Sequence, residues 1–280
     1  MPRLRLSAFS VSVLGVCALL TAGCTHGTSP SSGPVTAAVR TALAAWARFP
    51  VHASPRPLVL TGGTVNAPSA GFRSGADKDA FLEGAITPPQ VFPGGPRTAD
   101  GYGLVSARAA FHALVAAKVT GPPATSQLVA TSVTLGTASF DTDRGSRVLP
   151  SWNVGFEGVE GPAAVLAVAP ARIFTGPRPL DEASAVGSAT VGSGGRTLTV
   201  HTAGAPAGTG PCTASYSMDV GASDAAVAVQ VHVSPHGGSV PCAIPAVSVR
   251  LTTTLADPLG NRVLVDASSL AAVAVTAADH

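Results

Sequence analysis

Lysine and aromatic residues are scarce in this 280-residue chain. Lys78 and Lys118 are its only lysines, and Phe, Trp and Tyr together make up 5% of the residues. Nucleic-acid binding normally requires a basic stripe, and the sequence shows none. With so few rings, the hydrophobic core has to be built from small and β-branched side chains. We therefore expect a globular protein without a nucleic-acid partner.

Catalytic motifs are missing as well. The sequence contains no GxSxG, no SxxK, no HExxH and no GxxxxGK[ST]. The glycines of residues 191–195, VGSGG, do not open a helix and therefore do not indicate a nucleotide loop. No residue is assigned a catalytic role, and no cofactor is implied. We expect a protein that is not an enzyme.

The N-terminus has the layout of an export signal. Arg3 and Arg5 form a basic region, and residues 6–20 form a mostly apolar, uncharged stretch. This stretch has the length of a secretory signal and is too short for a comfortable membrane span. Loss of the two arginines reduces the 17 basic residues to 15, against 15 acidic ones. The exported chain is therefore expected to be close to neutral.

The signal ends in Thr21-Ala22-Gly23-Cys24. This sequence resembles the lipobox of bacterial lipoprotein precursors, although Thr21 stands where Leu is usual. The resemblance implies that residues 1–23 are removed and that Cys24 becomes an acylated N-terminus. A diacyl anchor would hold the protein at the outer face of the cytoplasmic membrane. The alternative is an ordinary signal peptide, cut near Ala22 or Gly23.

Two cysteines, Cys212 and Cys242, remain outside the signal and the proposed lipid site. A single pair of cysteines in an oxidising compartment favours a disulfide. Such a bond would stabilise the fold by roughly 3–4 kcal/mol on the chain-entropy model. A metal site is the alternative, but no CxxC and no nearby histidine pair supports it.

Composition and periodicity predict the first segments of the exported chain. Residues 24–34 are rich in Ser, Gly, Pro and Thr, which is typical of a flexible tether. Two apolar stripes at helical spacing predict a short helix that ends at Pro50 and a second helix over about 104–118. The stripes consist of Val35, Ala38, Val39, Ala42, Leu43, Trp46 and Phe49, and of Leu104, Ala107, Arg108, Phe111, Leu114 and Val115.

Three strand-like runs follow the second helix, at 127–135, 148–156 and 163–168. A helix followed by a three-strand meander resembles the cystatin-like and PepSY-type arrangement, which implies a helix packed across an antiparallel sheet. We therefore predict that residues 35–174 form an α+β module of this kind. Residues 175–187 are predicted to be a linker.

Residues 188–280 are predicted to be wholly β. Apolar and polar residues alternate in four runs, as in strands with one buried and one exposed face. The runs lie at 197–201, 216–220, 227–233 and 247–252, and two short strands are expected near 262–266 and 272–276. This pattern predicts an antiparallel β-sandwich, which Cys212–Cys242 would pin.

A further resemblance covers most of the exported chain. It is carried by Cys212…Tyr216…Ala226-Val227…Cys242…Pro258-Leu259-Gly260-Asn261-Arg262, by Trp46…Phe49-Pro50-Val51…Pro55-Arg56-Pro57, and by Thr142-Asp143-Arg144-Gly145…Leu149-Pro150-Ser151-Trp152. In these patterns the chain resembles lipoproteins of high-GC Gram-positive bacteria. The resemblance implies a cellular location and a fold class, and it implies no activity.

Charge is most concentrated in residues 140–152, FDTDRGSRVLPSW. Asp141 and Asp143 could supply oxygen ligands, but Arg144 follows them directly and no terminal Glu completes a Ca²⁺ loop. No second acidic cluster or aromatic platform supports a glycosidase carboxylate pair. The pattern favours a hairpin turn in which Gly145 takes a positive φ.

In that hairpin we expect Asp143 to cap turn amides and Arg144 or Arg147 to pair with a carboxylate. A weaker hypothesis makes Asp141, Asp143, Arg144 and Trp152 a surface site. Trp152 and Trp46 are both expected to be buried, because each shares its apolar spacing with neighbouring residues.

Histidines offer one metal hypothesis. His201, His232 and His236 lie on or near neighbouring predicted strands and could bind Zn²⁺. The spacing does not define a third ligand, however, and exposed positions on strands explain these histidines better. No metal site is therefore predicted.

These patterns favour a membrane-anchored binding module of the cell envelope, with a protein, an envelope component or a small ligand as partner. One alternative is a solute- or peptide-binding lipoprotein beside a transporter, with a pocket between the modules lined by residues 84–101 and Arg97. The other is an envelope hydrolase that uses Asp141, Asp143 or His201.

Overall fold

The structure is a computed structural model that describes residues 35–118, 124–180, 184–236 and 246–278. The predicted signal, Cys24 and the tether lie outside the described residues, as does Cys242. All described residues belong to one compact unit. The division into modules at residues 175–187 stays a prediction.

The described residues are mostly β, with three α-helices and several antiparallel strand pairs, which confirms the fold class at that level. The helices are α1 (Ala37–Trp46), α2 (Gly75–Leu82) and α3 (Ala107–Ala116). The strands of the first half are β1 (Val65–Asn66), β2 (Ile86–Thr87), β3 (Thr98–Ala99), β4 (Tyr102–Gly103), β5 (Leu128–Thr142), β6 (Gly145–Phe156) and β7 (Ala163–Leu166). Those of the second half are β8 (Ser188–Val191), β9 (Thr197–Gly204), β10 (Thr213–Ala222), β11 (Ala226–His236), β12 (Val247–Thr254), β13 (Val263–Asp266) and β14 (Val275–Ala277).

The predicted meander is the centre of a five-stranded sheet with the order β1-β7-β6-β5-β2. Its strands β5, β6 and β7 pair antiparallel. Helices α2 and α3 pack against this sheet and share a core with it that contains Phe81, Phe111, Trp152 and Phe156. Side-chain caps begin both helices, since the hydroxyls of Ser74 and Ser106 accept hydrogen bonds from backbone N–H groups of the first turn.

The periodicity of residues 35–49 and 104–118 predicted α1 and α3, but α2 was not predicted. Only Ala80 and Phe81 of its eight residues are buried. A helix that buries so little of its surface has no apolar stripe for periodicity to detect. The Ser74 cap was the remaining signal in the sequence.

Two sheets in the second half enclose a common core. A three-stranded sheet has the order β10-β11-β13, and a four-stranded sheet has the order β12-β9-β8-β14. Their facing side chains include Leu198 and Val200 from one sheet and Val227, Val229 and Leu264 from the other. The strand β8 was missed in the sequence. The prediction of an antiparallel sandwich was wrong in part, because β13 pairs parallel with β11 and β14 pairs parallel with β8.

Helix α1 packs on the outer side of the three-stranded sheet. Val39, Ala42 and Trp46 are buried against Ala226 and Ala228 of β11. The sequence pattern predicted an exposed face at Ala228, and that expectation was wrong because α1 covers this face. In β11, only residues 230–236 are partly or fully exposed to solvent.

No helix among the described segments is both long enough and apolar enough to cross a bilayer.

Candidate functional site

The hairpin predicted at residues 140–152 is present, and its turn is tighter than expected. Strand β5 continues to Thr142 and β6 begins at Gly145, whose φ is +77°. The Thr142 hydroxyl accepts a hydrogen bond from the Arg144 backbone N–H at 3.1 Å and donates one to the Gly145 carbonyl at 2.7 Å. The amide cap therefore comes from Thr142, and the expectation that Asp143 supplies it was wrong.

Asp143 instead forms a buried ion pair. Its side chain is 1% exposed, and both of its carboxylate oxygens accept hydrogen bonds from the Arg56 guanidinium. The Arg144 Nε lies 3.8 Å from one of these oxygens. A bidentate, charge-assisted pair of this kind fixes the orientation of both groups.

Backbone contacts lock the same turn into the fold. The Asp143 N–H donates to the Val59 carbonyl at 2.9 Å, and the Val275 N–H donates to the Asp143 carbonyl at 3.1 Å. Arg144 donates from Nη2 to the Gly260 and Arg262 carbonyls at 2.7 and 2.8 Å. The hairpin tip is thus held by segments that are distant from it in sequence.

Burial is the largest influence on Arg144 and lowers the pKa of its guanidinium. The carboxylate of Asp143 opposes this effect, and the positive charge of Arg56 adds to it. Since the guanidinium pKa starts far above neutrality, Arg144 remains a cation and serves as a fixed donor to the two carbonyls.

The four residues of the weaker surface-site hypothesis differ in their exposure to solvent. Asp143 is 1% exposed and Trp152 is 2% exposed, so neither can contribute to a surface site. Trp152 donates from Nε1 to the Val105 carbonyl at 2.9 Å, and Trp46 donates to the Leu270 carbonyl at 3.0 Å. Burial of both tryptophans was predicted and is confirmed. Asp141 is exposed at the mouth of a cleft.

The cleft has a volume of about 460 Å³. Its polar lining comes from Thr61, Asp141, Ser146 and Ser184, and the segment 271–274 forms another wall. Among the described lining residues, Asp141 alone is charged, and its carboxylate has no hydrogen-bond or ion-pair partner in the described part of the chain. The segment 84–101 and Arg97, which were expected to line a pocket, do not line this cleft.

One wall of the cleft is stiffened by Asp266, a carboxylate that the sequence analysis missed. Asp266 is 0% exposed and accepts hydrogen bonds from the Ser184 hydroxyl at 2.6 Å and from the Ala185 N–H at 2.9 Å. The N–H and hydroxyl of Ser268 also donate to it. A carboxylate with this many donors can stay buried without a cationic partner. The local signal was the Asp-Ala-Ser-Ser sequence, which is typical of a side-chain-capped turn.

The three histidines of the metal hypothesis have separate surroundings. The His232 Nε2 lies 2.8 Å from an Asp219 carboxylate oxygen, and the His236 Nε2 lies 2.6 Å from the Ser215 hydroxyl. The His201 Nε2 is buried without a hydrogen-bond partner. Within the described ranges, no group of three or more His, Cys, Asp or Glu side chains is arranged to hold a metal ion.

The cysteine predictions remain open because Cys24 and Cys242 lie outside the described residues. Cys212 immediately precedes β10, in which Thr213 pairs with His236 at the end of β11. His236 therefore lies opposite the residue that follows Cys212, and Cys242 follows His236 by six positions in the sequence. This register is compatible with the predicted disulfide, which stays a prediction.

No protein-family model matches the chain, and comparisons with curated proteins and with solved structures found no match.

Proposed function

We propose that this chain is an exported, membrane-tethered binding protein without enzymatic activity, and that the cleft beside Asp141 holds its ligand. The single observation that carries the ligand site is an unpartnered carboxylate at the mouth of a cleft whose framework is rigidly hydrogen-bonded. Fixed walls reduce the ordering cost of binding a small molecule.

The export and the tether are supported by the basic and apolar regions of residues 1–20 and by the lipobox-like Thr21-Ala22-Gly23-Cys24. Acylation of Cys24 would leave eleven residues between the lipid and Thr36, which caps α1. A flexible chain of that length has an end-to-end distance of about 18 Å. The folded part would therefore stay close to the membrane surface.

The finer architecture that we propose is a helix-on-sheet module followed by a disulfide-pinned β-sandwich. Packing of α3 on the β5–β6–β7 meander supports the first part. The core shared by the two sheets of the second half supports the sandwich. The register of Thr213 with His236 supports the disulfide between Cys212 and Cys242.

The ligand that best suits the cleft is small and polar and carries an amine. An ammonium group would make a charge-assisted hydrogen bond to Asp141. The hydroxyls of Thr61 and Ser146 can donate or accept beside it. Ala272 adds backbone groups. Its bridge to Val265 uses the flanking Ala271 carbonyl and Val273 N–H, so the Ala272 N–H and C=O have no backbone partner among the described residues.

Among the described residues, the lining supports binding over hydrolysis. These residues supply one carboxylate and three hydroxyls, and none of them is a His, Lys or Cys that could act as a base or a nucleophile. A solute-binding lipoprotein that works beside a transporter remains the second candidate, because the same cleft would serve it.

Ligand retention by the purified protein tests this proposal. Full-length protein extracted from envelope membranes in mild detergent is mixed with the low-molecular-mass fraction of its native growth medium. Compounds retained on ultrafiltration are then identified by mass spectrometry. We expect retention of an amine-bearing compound whose mass is unchanged on recovery.

Two variants make the test specific. Ser146→Trp should fill the cleft and abolish retention, and Asp141→Asn should weaken it. Thr134→Trp on the exposed face of β5 is the matched control and should retain the compound. Retention by Ser146→Trp equal to that of the native protein, or recovery of a chemically converted compound, would contradict the proposal.

A further inference from the structure

The outer face of the four-stranded sheet carries a row of threonines that crosses all four strands. Register pairs Thr276 of β14 with Thr190 of β8, Thr190 with Thr199 of β9, and Thr199 with Thr252 of β12. Paired residues lie on the same side of a sheet, and neighbouring strands are about 4.8 Å apart. Four hydroxyls therefore follow one another at nearly constant spacing.

Other polar residues extend this row into a surface that we call the threonine face. One flanking row consists of Ser188, His201 and Arg250, and the other contains Thr197 and Thr254. Residues between these positions, such as Ala189, Leu198 and Val200, point into the core and are buried. Most members of the face are exposed, and none of the four strands contains an acidic or aromatic residue.

The threonine side chains of this face have few accessible rotamers, and two of their hydroxyls are in contact. Threonine is stiff at χ1 because it is β-branched, and the hydroxyls of Thr199 and Thr252 lie 3.0 Å apart, within hydrogen-bond distance. Each hydroxyl can donate one hydrogen bond and accept two. The face thus offers an ordered array of donors and acceptors.

Its charge is positive and sparse. Arg250 is exposed and has no hydrogen-bond or ion-pair partner among the described residues. With no carboxylate on the four strands, the face complements an anionic group at this one place.

We infer that the threonine face binds an acidic polysaccharide. Such a polymer presents many hydroxyls and few negative charges, which matches a dense hydroxyl array around a single arginine. Nucleic acid or an anionic membrane would require several clustered cations. A protein partner would require an apolar or aromatic centre. The inference does not depend on the function proposed for the Asp141 cleft.

Affinity electrophoresis tests the inference with the full-length protein in detergent. Migration is compared in native gels that contain polygalacturonate, a polymer of uronic acid, or dextran, a neutral glucose polymer. We expect retardation by polygalacturonate and none by dextran. The retardation should decrease with added salt, because exposed charges are screened.

Three variants locate the binding surface. Arg250→Gln removes the cation and should weaken polygalacturonate binding about tenfold, as expected for loss of a hydrogen bond to a charged group. Thr252→Glu places a negative charge in the threonine row and should weaken binding at least as much. Thr134→Glu makes the same change at an exposed position of β5 and should leave binding unchanged.

Three results would overturn the inference. The first is absence of retardation by polygalacturonate with the native protein. The second is equal retardation by dextran, which would remove the role of charge. The third is equal loss of binding in Thr134→Glu and Thr252→Glu when both variants unfold at the native denaturant midpoint.

Discussion

Asp141 and Asp143 lie two positions apart on one hairpin and differ in their surroundings. Asp143 is buried and paired with Arg56, whereas Asp141 is exposed and unpartnered among the described residues. The sequence predicted the hairpin from Gly145 and the polar run. It could not predict the partner of Asp143, because Arg56 is 87 positions away. Burial of single polar residues depends on such distant contacts.

Removal of the Asp143 charge should destabilise the protein strongly. Asp143→Asn leaves Arg56 and the partly buried Arg144 without their carboxylate, and breaking a buried pair costs about 3–5 kcal/mol. Partial exposure of the two arginines places the expected loss near the lower end of that range. Denaturant unfolding measures it. Asp141→Asn is the control and should change the free energy of unfolding by less than about 0.5 kcal/mol.

Gly95 is required where it packs on the Trp152 ring. A Cβ added at Gly95 would lie 2.7 Å from the Trp152 Cη2, whereas a Cβ at Gly94 would meet no atom within 4 Å. Gly95→Ala should therefore reduce the free energy of unfolding by about 1–3 kcal/mol through overpacking. Gly94→Ala should be neutral or stabilise by up to about 1 kcal/mol. Equal midpoints in urea for the two variants would contradict the packing described for Trp152.

At the scale of elements, periodicity works where one face alone is buried. It located α1 and α3, and it located β9 and β12, whose residues alternate between the core and the threonine face. It located β11 but predicted one exposed face for it. Residues Ala226 to Val229 are all buried, because α1 covers one side of the strand and the opposing sheet covers the other. It missed α2, which buries too little surface to show a stripe.

The packing of α1 on the sheet depends on a small residue in β10. A Cβ added at Gly221 would lie 2.5 Å from the Val39 Cγ1 and 3.3 Å from the Leu43 Cδ1. Gly221→Leu should displace α1, lower the free energy of unfolding by roughly 1–3 kcal/mol, and expose Trp46 to water. A red shift of Trp46 emission, measured in a Trp152→Phe background, reports that exposure.

Ala222→Leu is the matched control for this prediction, since Ala222 is the exposed neighbour of Gly221 on the same strand. It should leave the emission maximum in place. An unshifted spectrum in Gly221→Leu would show that α1 does not rest on this part of β10.

At the scale of the whole molecule, the sequence predicted a mostly β protein with few helices, and it could not predict the polar junction at the hairpin tip. That junction joins residues near 56–59, 143–144, 260–262 and 275, which no local pattern connects. The cleft could not be predicted from the sequence for the same reason, since its lining residues come from separate stretches of the chain.

The predicted disulfide acts at this scale, since it would link the start of β10 to the segment after β11. Cys212→Ser/Cys242→Ser should lower the free energy of unfolding by roughly 3–4 kcal/mol on the chain-entropy model. Denaturant unfolding of the double variant and of the native protein under oxidising conditions measures the difference. Equal stabilities, together with a native mass that retains both thiol hydrogens, would contradict the bond.

The membrane tether is the central claim, because it determines the compartment in which the protein would bind a ligand. Intact-mass measurement of the protein from fractionated native cells tests it most directly. We predict a membrane-bound form that begins at Cys24 and carries the added mass of acyl chains. A soluble form without added mass, cut near Ala22 or Gly23, would contradict the tether and make this a freely secreted protein.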